Sequence, residues 1–485
     1  MAKRLNLLEL GFLFTEQRET PMHVGGLSLF DLPKGVEEQK FLHNLADGLR
    51  NASQLQRPFG EKLKTGPLGL AGPAFWVTDT SLDMDYHIRH SALPKPGRYR
   101  ELFNLVSRLH STLLDRSRPL WEMHLIEGLQ DRQFAVYSKY HHAVVDGVRA
   151  IQLAQSMLSD NPRTRIHESP LSIEAGNRYR AMHGRAMPED ISESELRNVA
   201  EFLKAQFDSG LRLTAALGKF TGAWLGRQQR LLMPFMDVPA SSINTPVDGA
   251  RRFVAQSWPF ARIRALGKAF DGTFNDAILA ICAGALRLYL KNHATLPAKS
   301  LKAMVPISLR VDGDVDSSNA VGFISADLAT DLEDAGDRFA AIRESVQAGK
   351  DFYQQLSQRE AQMVSTILQV PTMLLIPLGL MSRFPPYNTV ISNVPGPRQP
   401  MYWNGAKLAG MYPASIVTEG IALNITMVTY DQSVDFGFMA CRRTLPQAQR
   451  LIDYVETSML ELEAAAGIAK PARKNAAAKR AAPDT

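Results

Sequence analysis

Apolar residues recur along this chain with two different periods, and the alternation between them predicts its architecture. Over residues 37–51 (EEQKFLHNLADGLRN), Phe41, Leu42, Leu45 and Leu49 fall on one side of a helical wheel. Residues 101–114 (ELFNLVSRLHSTLL) do the same, so both are predicted helices. Residues 83–93 (DMDYHIRHSAL) alternate with period two and read as a strand, as do 121–129 (WEMHLIEGL) and 133–140 (QFAVYSKY). The last of these runs straight into His141-His142-Ala143-Val144-Val145-Asp146-Gly147, after which VRAIQLAQSMLSD returns to helical spacing. A strand, a short loop and a helix, in that order, is where α/β proteins place binding and catalytic groups.

The pattern loosens near residue 165. His167 to Glu195 is polar and irregular, and a helical stretch up to RQQRLL follows, so residues 186–250 read as a helical linker. A second α/β unit starts near Arg251, with a strand at RRFVAQSWPF and a helix over 275–293 (NDAILAICAGALRLYLKNH). Strands are predicted at 301–310 (LKAMVPISLR), 387–394 (YNTVISNV) and 422–431 (ALNITMVTYD), the last with a hairpin partner at 433–442, and a final helix covers 446–467. The chain thus reads as an α/β (α+β) protein with subdomains at 1–185 and 251–468 and a basic tail, expected to be disordered, at 469–485. No internal repeat appears. Between Glu360 and Arg383 lies an uncharged stretch, broken by Gln362, Gln369, Pro371 and Pro377. It is expected to form a kinked apolar helix pair, packed in the core or against a membrane surface, rather than to span.

Composition narrows the class. The 485 residues, 45% hydrophobic and 21% charged, describe a globular protein large enough for two or three domains and a cleft between them. Cys282 and Cys441 are too few for a disulfide framework or a four-cysteine zinc site, and they fit a reducing cytosol. MAKRLNLLELGF has its apolar run interrupted by Glu9 and is not expected to act as a signal peptide. The net charge is +6, but the tail alone carries five basic residues against one aspartate, which leaves the body near neutral. Nucleic acid is therefore not an expected partner.

HHAVVDG is the main chemical signal; by composition such a motif arises in about one in a thousand chains of this kind. A histidine at a strand end can present one ring nitrogen as a base, with an ordinary pKa of about 6.5. Asp146 is expected to hold the loop by pairing with an arginine, and Gly147 to allow a tight turn into the helix. No neighbouring His, Cys or carboxylate has metal-ligand spacing, so no metal is expected. His43…Asp47 also fits HxxxDG but lies inside the predicted 37–51 helix, as ordinary i, i+4 neighbours. His110…Asp115 and Asp435-Phe436-Gly437 match short motifs whose remaining parts are missing, and there is no GxSxG or Walker A loop.

Around HHAVVDG stand PMHVGGL (21–27), SRPLWEMHLIEGL (117–129), Asn275-Asp276, VPISLR (305–310), NAVGF (319–323) and ISNVPGP (391–397). Together, over about residues 5–465, these resemble the bacterial bifunctional wax ester synthases/diacylglycerol acyltransferases, within the CoA-dependent acyltransferase superfamily. An acidic residue often found after the final CR dipeptide is Arg443 here. The resemblance implies two chloramphenicol-acetyltransferase-like subdomains, each a mixed sheet flanked by helices, with an active-site tunnel between them. It implies acyl transfer from fatty acyl-CoA, a substrate rather than a cofactor, to a long-chain fatty alcohol or diacylglycerol, at a membrane or lipid-droplet surface in the cytoplasm. His142 would be the general base and His141 would position the loop. Asn275 would donate to the oxyanion, though a plain helix N-cap explains it nearly as well; Asp276 would support the helix start and Arg310 would pair with Asp146. Pro119, Leu120, Trp121, Ser392 and Asn393 are candidates for substrate contact. Met363, Ile367, Leu368, Met373, Leu374, Leu375 and Met381 are candidates for the tunnel's apolar lining. A condensation-type enzyme using carrier-bound thioesters and a non-catalytic lipid binder are the rival readings.

Overall fold

A computed structural model describes residues 2–183 except 53, then 232–308, and 321–468 with short gaps between 357 and 377. The described elements of the first half are β1 (Lys3–Arg4), α1 (Leu7–Thr15), β2 (His23–Asp31), α2 (Glu38–Arg50), β3 (Glu61–Gly66), β4 (Gly69–Thr78), α3 (Met84–His87), β5 (Ile88–Ala92), α4 (Tyr99–Ser111), β6 (Trp121–Glu127), β7 (Gln133–His141), α5 (Gly147–Ser156) and α6 (Ile173–His183). Those of the second half are β8 (Arg251–Pro259), α7 (Phe260–Ala269), α8 (Phe274–His293), β9 (Lys302–Ser308), β10 (Val321–Asp327), α9 (Ala335–Gln354), β11 (Thr389–Pro395), β12 (Tyr402–Trp403), β13 (Ala406–Ala414), β14 (Leu423–Tyr430), β15 (Ser433–Cys441) and α10 (Arg450–Ala465).

Two six-stranded mixed sheets, flanked by helices, carry the fold. The first has the order β12-β13-β2-β7-β6-β5 and the second β10-β9-β11-β14-β15-β8; β1, β4 and β3 form a small third sheet. Strand β7 shows how period two becomes architecture. Phe134, Val136 and Tyr140 enter a core with residues of α2 and α5, while Ala135 and Tyr137 enter the larger core shared with the second half. In that larger core α8 is buried almost all round, from Asp276 to Leu286. Among the described residues no single helix is long and apolar enough to cross a membrane; α7 and α8 pass only as a pair, bent by 97°.

The two sheets are joined by β12 and β13, which come from residues 402–414 yet complete the sheet of the first half. Strand β13 pairs antiparallel with β2, Lys407 opposite Asp31 and Ala414 opposite Gly25. The same strand lies against β15: Asp435 accepts from the Met411 N–H at 2.8 Å. At Gly437 a Cβ would sit 1.9 Å from the Pro413 carbonyl oxygen. The Asp-Phe-Gly triplet is thus a contact between sheets.

Three local readings are corrected. The strand expected over 83–93 begins only at Ile88, because the Asp83 side chain accepts from the Asp85 and Tyr86 N–H groups and caps a helical turn. Part of the stretch read as irregular is α6, which buries only one narrow side through Ala175 and Tyr179. Helix α9, strand β10 and strands β12 and β13 lie where no element was predicted. The uncharged stretch is described in part: residues 360–361, 364–365, 368, 372 and 375 are helical, while Met363, Ile367, Met373 and Leu374 lie outside the described residues. So do Arg310, most of the expected linker (184–231) and the 469–485 tail.

Candidate active site

The last turn of the β7 ladder delivers the two histidines into different surroundings. His141 is fully buried and pairs across the sheet with His23. Its Nδ1 accepts from the Ala143 N–H at 3.0 Å, so its proton sits on Nε2, which points at Glu16 Oε1, 3.4 Å away. His142 is half-buried. Its N–H donates to the Met22 carbonyl at 2.8 Å, and its ring stacks on Phe12 with centroids 4.2 Å apart. Burial lowers the His142 pKa below the ordinary value; the charge of Asp146 and a bond to its own main chain oppose this only in part. At neutral pH the ring is therefore an unprotonated base.

Glu16, just past the end of α1, anchors this arrangement. Its side chain is 1% exposed and uses both oxygens. Oε1 accepts from the Met22 N–H at 3.1 Å and faces His141, while Oε2 takes two bonds from Arg116, at 3.2 and 3.0 Å. Burial alone would raise this carboxyl, but His141, the Met22 N–H and Arg116 together hold it below the usual glutamate range. Since Met22 also receives the His142 N–H, a single carboxylate braces both histidines.

Asp146 caps α5, accepting the Arg149 N–H at 2.7 Å. Its expected partner Arg310 lies outside the described residues. Gly147 does not supply a tight turn: its φ is ordinary, and a Cβ there would meet nothing within 4 Å, so the glycine leaves open space at the helix start. Pro119, Leu120 and Trp121 are buried core rather than exposed contacts. The Leu120 carbonyl accepts the His141 N–H at 3.0 Å, and the indole of Trp121 donates to Phe59 O at 2.9 Å. Their part is to hold the histidine loop from behind.

A second group stands at the start of α8 and on β11 of the other sheet. Asn275 is exposed in the first turn of α8, but Thr273 is the N-cap, in a reciprocal capping box with Asp276, so a capping role for Asn275 is excluded. Instead Asn275 Oδ1 accepts from Asn393 Nδ2 of β11 at 2.8 Å. Ser392, beside it, is half-buried. Met22, Ile376, Met381, Tyr387 and Ile421 form a small apolar cluster, with Phe12, Leu375 and Val390 packed against it. It draws on both halves, and through Met22 and Phe12 it borders His142. Of the candidate lining residues, Met381 and Leu375 belong to this cluster, whereas Leu368 packs on the larger core. Among the described residues no three His, Cys, Asp or Glu side chains cluster as a metal site.

Comparison with known proteins agrees with this layout. The wax ester synthase/diacylglycerol acyltransferase catalytic domain matches residues 5–278, and the WS/DGAT C-terminal domain matches residues 317–463. The chain belongs to the wax ester synthase/diacylglycerol acyltransferase family. It is 40% identical over 453 residues to the O-acyltransferase WSD of Acinetobacter baylyi, covering 93% of this chain and 95% of that protein. Its structure resembles the wax ester synthase/diacylglycerol acyltransferase of Marinobacter aquaeolei VT8, with a TM-score of 0.74, 39% identity, and coverage of 96% of this chain and 100% of that one. The first condensation domain of the CDA synthetase has a similar fold, with a TM-score of 0.55 at 14% identity, over 95% of this chain and 96% of that domain.

Within this acyltransferase the competing short motifs carry no site. His43 and Asp47 are a surface pair on α2, 3.4 Å apart. His110 donates Nε2–H to Ser415 O and accepts from the Tyr137 hydroxyl, and burial beside Lys139 and Arg251 pushes it down to about 3. Asp115 turns to its own neighbour, Ser117. Arg443 donates to Pro246 O and lies 3.8 Å from Asp248. Glu16 is the residue that the sequence reading missed. Its only linear signal is its place six residues before Met22 in the PMHVGGL segment.

Proposed function

We propose that this acyltransferase moves a fatty acyl group from acyl-CoA to a long-chain alcohol, giving a wax ester, and to diacylglycerol, giving triacylglycerol. The reading rests on the His142 ring: an unprotonated base pinned by Met22 and Phe12 at the border of an apolar cluster built from both halves. His142 takes the proton of the acceptor hydroxyl as its oxygen attacks the thioester carbonyl. Asn275 donates to the oxyanion that forms, and collapse of the intermediate breaks the C–S bond. The imidazolium then returns the proton to the departing CoA sulfur. No covalent acyl-enzyme and no resident cofactor enter the scheme. Base catalysis of this kind contributes about 10²–10⁴ in rate, and one oxyanion donor about 10²–10³.

Water-insoluble substrates suggest that the reaction runs at a membrane or lipid-droplet surface of the cytoplasm. Exposed Phe14, Leu378 and Phe384 support such peripheral contact. The deciding experiment is thiol release from palmitoyl-CoA with added hexadecanol or diacylglycerol, for the wild type and His142→Ala. Acceptor-dependent release that His142→Ala abolishes is expected. Release that ignores the acceptor would mean a thioesterase, and no release with either protein would point to carrier-bound thioesters or lipid storage.

A further inference from the structure

We infer that Asn393 is a positioning residue that fixes which end of the Asn275 amide faces the reacting thioester. The inference rests on the oxyanion role proposed above for Asn275. An asparagine side chain presents an acceptor at one end and two donors at the other, and the two are nearly the same shape. For an oxyanion only the NH2 end is of use. Asn275, exposed near the start of α8, has nothing in its own helix that chooses between the ends.

The choice is made by β11. This strand pairs with β9 only at Thr389 and Val390, then leaves it, while its pairing with β14 continues to Pro395. Asn393 stands where β9 and β11 have separated and donates Nδ2–H to Asn275 Oδ1 at 2.8 Å. With its oxygen so occupied, Asn275 is left with its NH2 group turned outward. The direction of the bond follows from burial. The far end of the Asn393 amide, its Oδ1, is buried and without a partner among the described residues. Turning that amide over would put an NH2 group there and strand two donors instead of one acceptor. Asn393 is therefore the donor of the pair, and Asn275 must show its own donors to the site.

The test compares Asn393→Asp, Asn393→Ala and Asn275→Ala by thiol release and thermal unfolding. A carboxylate at 393 keeps the shape but only accepts, so Asn275 turns its NH2 group inward and away from the oxyanion. Expected is a kcat loss for Asn393→Asp close to that of Asn275→Ala, on the order of 10²–10³-fold, with KM for palmitoyl-CoA and the unfolding midpoint little changed. Asn393→Ala, which leaves Asn275 free to present either end of its amide, loses a smaller but measurable factor, about two- to tenfold. The double variant Asn275→Ala/Asn393→Asp falls no further than Asn275→Ala. Relative to wild type, Asn393→Asp recovers as pH drops through about 4, where its carboxyl gains a proton to donate. A purely structural asparagine would rank the variants the other way, with Ala worse than its isostere Asp. That ranking, or wild-type kcat in Asn393→Asp, overturns the inference while Asn275→Ala stays impaired. Wild-type kcat in Asn275→Ala instead removes the oxyanion role itself, and this inference with it. Should Asn393→Asp fail to fold, an unchanged kcat in Asn393→Ala is the overturning result.

Discussion

Replacing Glu16 separates its two duties, because each is assigned to a different oxygen. In Glu16→Gln one oxygen remains. Facing Met22 and His141, it still accepts the Met22 N–H and still faces His141 Nε2, as the carboxylate does at 3.1 and 3.4 Å. The new NH2 group then faces the Arg116 guanidinium, donor against donor, and the two bonds at 3.2 and 3.0 Å are lost. A hydrogen bond to a charged group contributes about 1.5–3 kcal/mol. Arg116 is 35% exposed and regains part of this by turning to water. The expected loss of stability is therefore about 2–4 kcal/mol, with kcat per folded molecule within a few-fold of wild type. Glu16→Ala leaves the Met22 N–H, His141 Nε2 and Arg116 without their acceptor. Breaking a buried ionic contact from one side costs about 3–5 kcal/mol, and here the His141 ring is also released, so kcat falls as well. Denaturant unfolding and thiol release on the same preparations read both quantities. The sign of the pH effect is fixed too. Because the folded carboxyl sits below its ordinary value, its contribution is complete above about pH 4.5 and is lost as the pH falls through the lowered value. Glu16→Gln should lack that part of the acid transition. A Glu16→Ala protein with wild-type stability and kcat, or a Gln variant worse than Ala in kcat, would falsify the argument.

Three further outcomes are expected. Asp146→Asn keeps the cap of α5, since Asn caps as well as Asp, but removes the charge that raises the His142 pKa; the acid limb of kcat/KM should move to lower pH, and an upward shift contradicts the assignment. Lys139 is fully buried, bonded to Glu122 at 3.3 Å and to the carbonyls of Leu109 and Thr112. Burial alone would raise Glu122, but the His124 bond and the Lys139 and Arg89 charges hold it at about 2. Lys139→Met should cost about 3–5 kcal/mol in denaturant unfolding and move acid unfolding to higher pH, and a cost below about 1 kcal/mol would be incompatible with this. Gly437→Ala puts a methyl against the Pro413 carbonyl, a backbone atom that cannot yield; a loss of about 1–3 kcal/mol in thermal unfolding is expected, and unchanged stability would show that the sheets part easily.

What was legible in the sequence is what is contiguous in it. The helix at Glu38–Arg50 and the strand at Gln133–His141 have strong local periods, and HHAVVDG occupies seven consecutive positions. The turn at Met84–His87 was missed because a cap by Asp83 outweighed an alternating pattern. Strand β13 could not be placed, since pairing Lys407 with Asp31 is a choice among distant partners that no local pattern encodes. The site divides in the same way. Asn275 and Asn393 are 118 positions apart, Arg116 and Glu16 are 100 apart, and each pair depends on packing for its contact. Arg443 departs from its expected residue type and lies at the surface beside Asp248.

This division explains why the fold needs β13 where it is. His142 follows a strand of the first sheet, while Asn393 lies on a strand of the second and Asn275 on α8 packed with it, so slippage between sheets would move the proposed base and the proposed oxyanion donor relative to one another. Strand β13 is hydrogen-bonded along β2, next to the strand that ends in His141. It is also held to β15 by the Asp435–Met411 bond and by the contact at Gly437. Burial raises the Asp435 carboxyl, yet Ser257, Ser433 and Met411 all donate to it, so the contact has partners on both of its sides. Behind the histidines, His110 reaches Ser415, just past the end of β13, through Nε2 and Tyr137 of β7 through Nδ1. A strand borrowed from one half and locked to the other at several points makes the intersheet spacing a property of the backbone. If the proposed reaction takes place there, the apolar cluster can adapt its packing through the side chains of Met22 and Met381 while the intersheet spacing stays fixed.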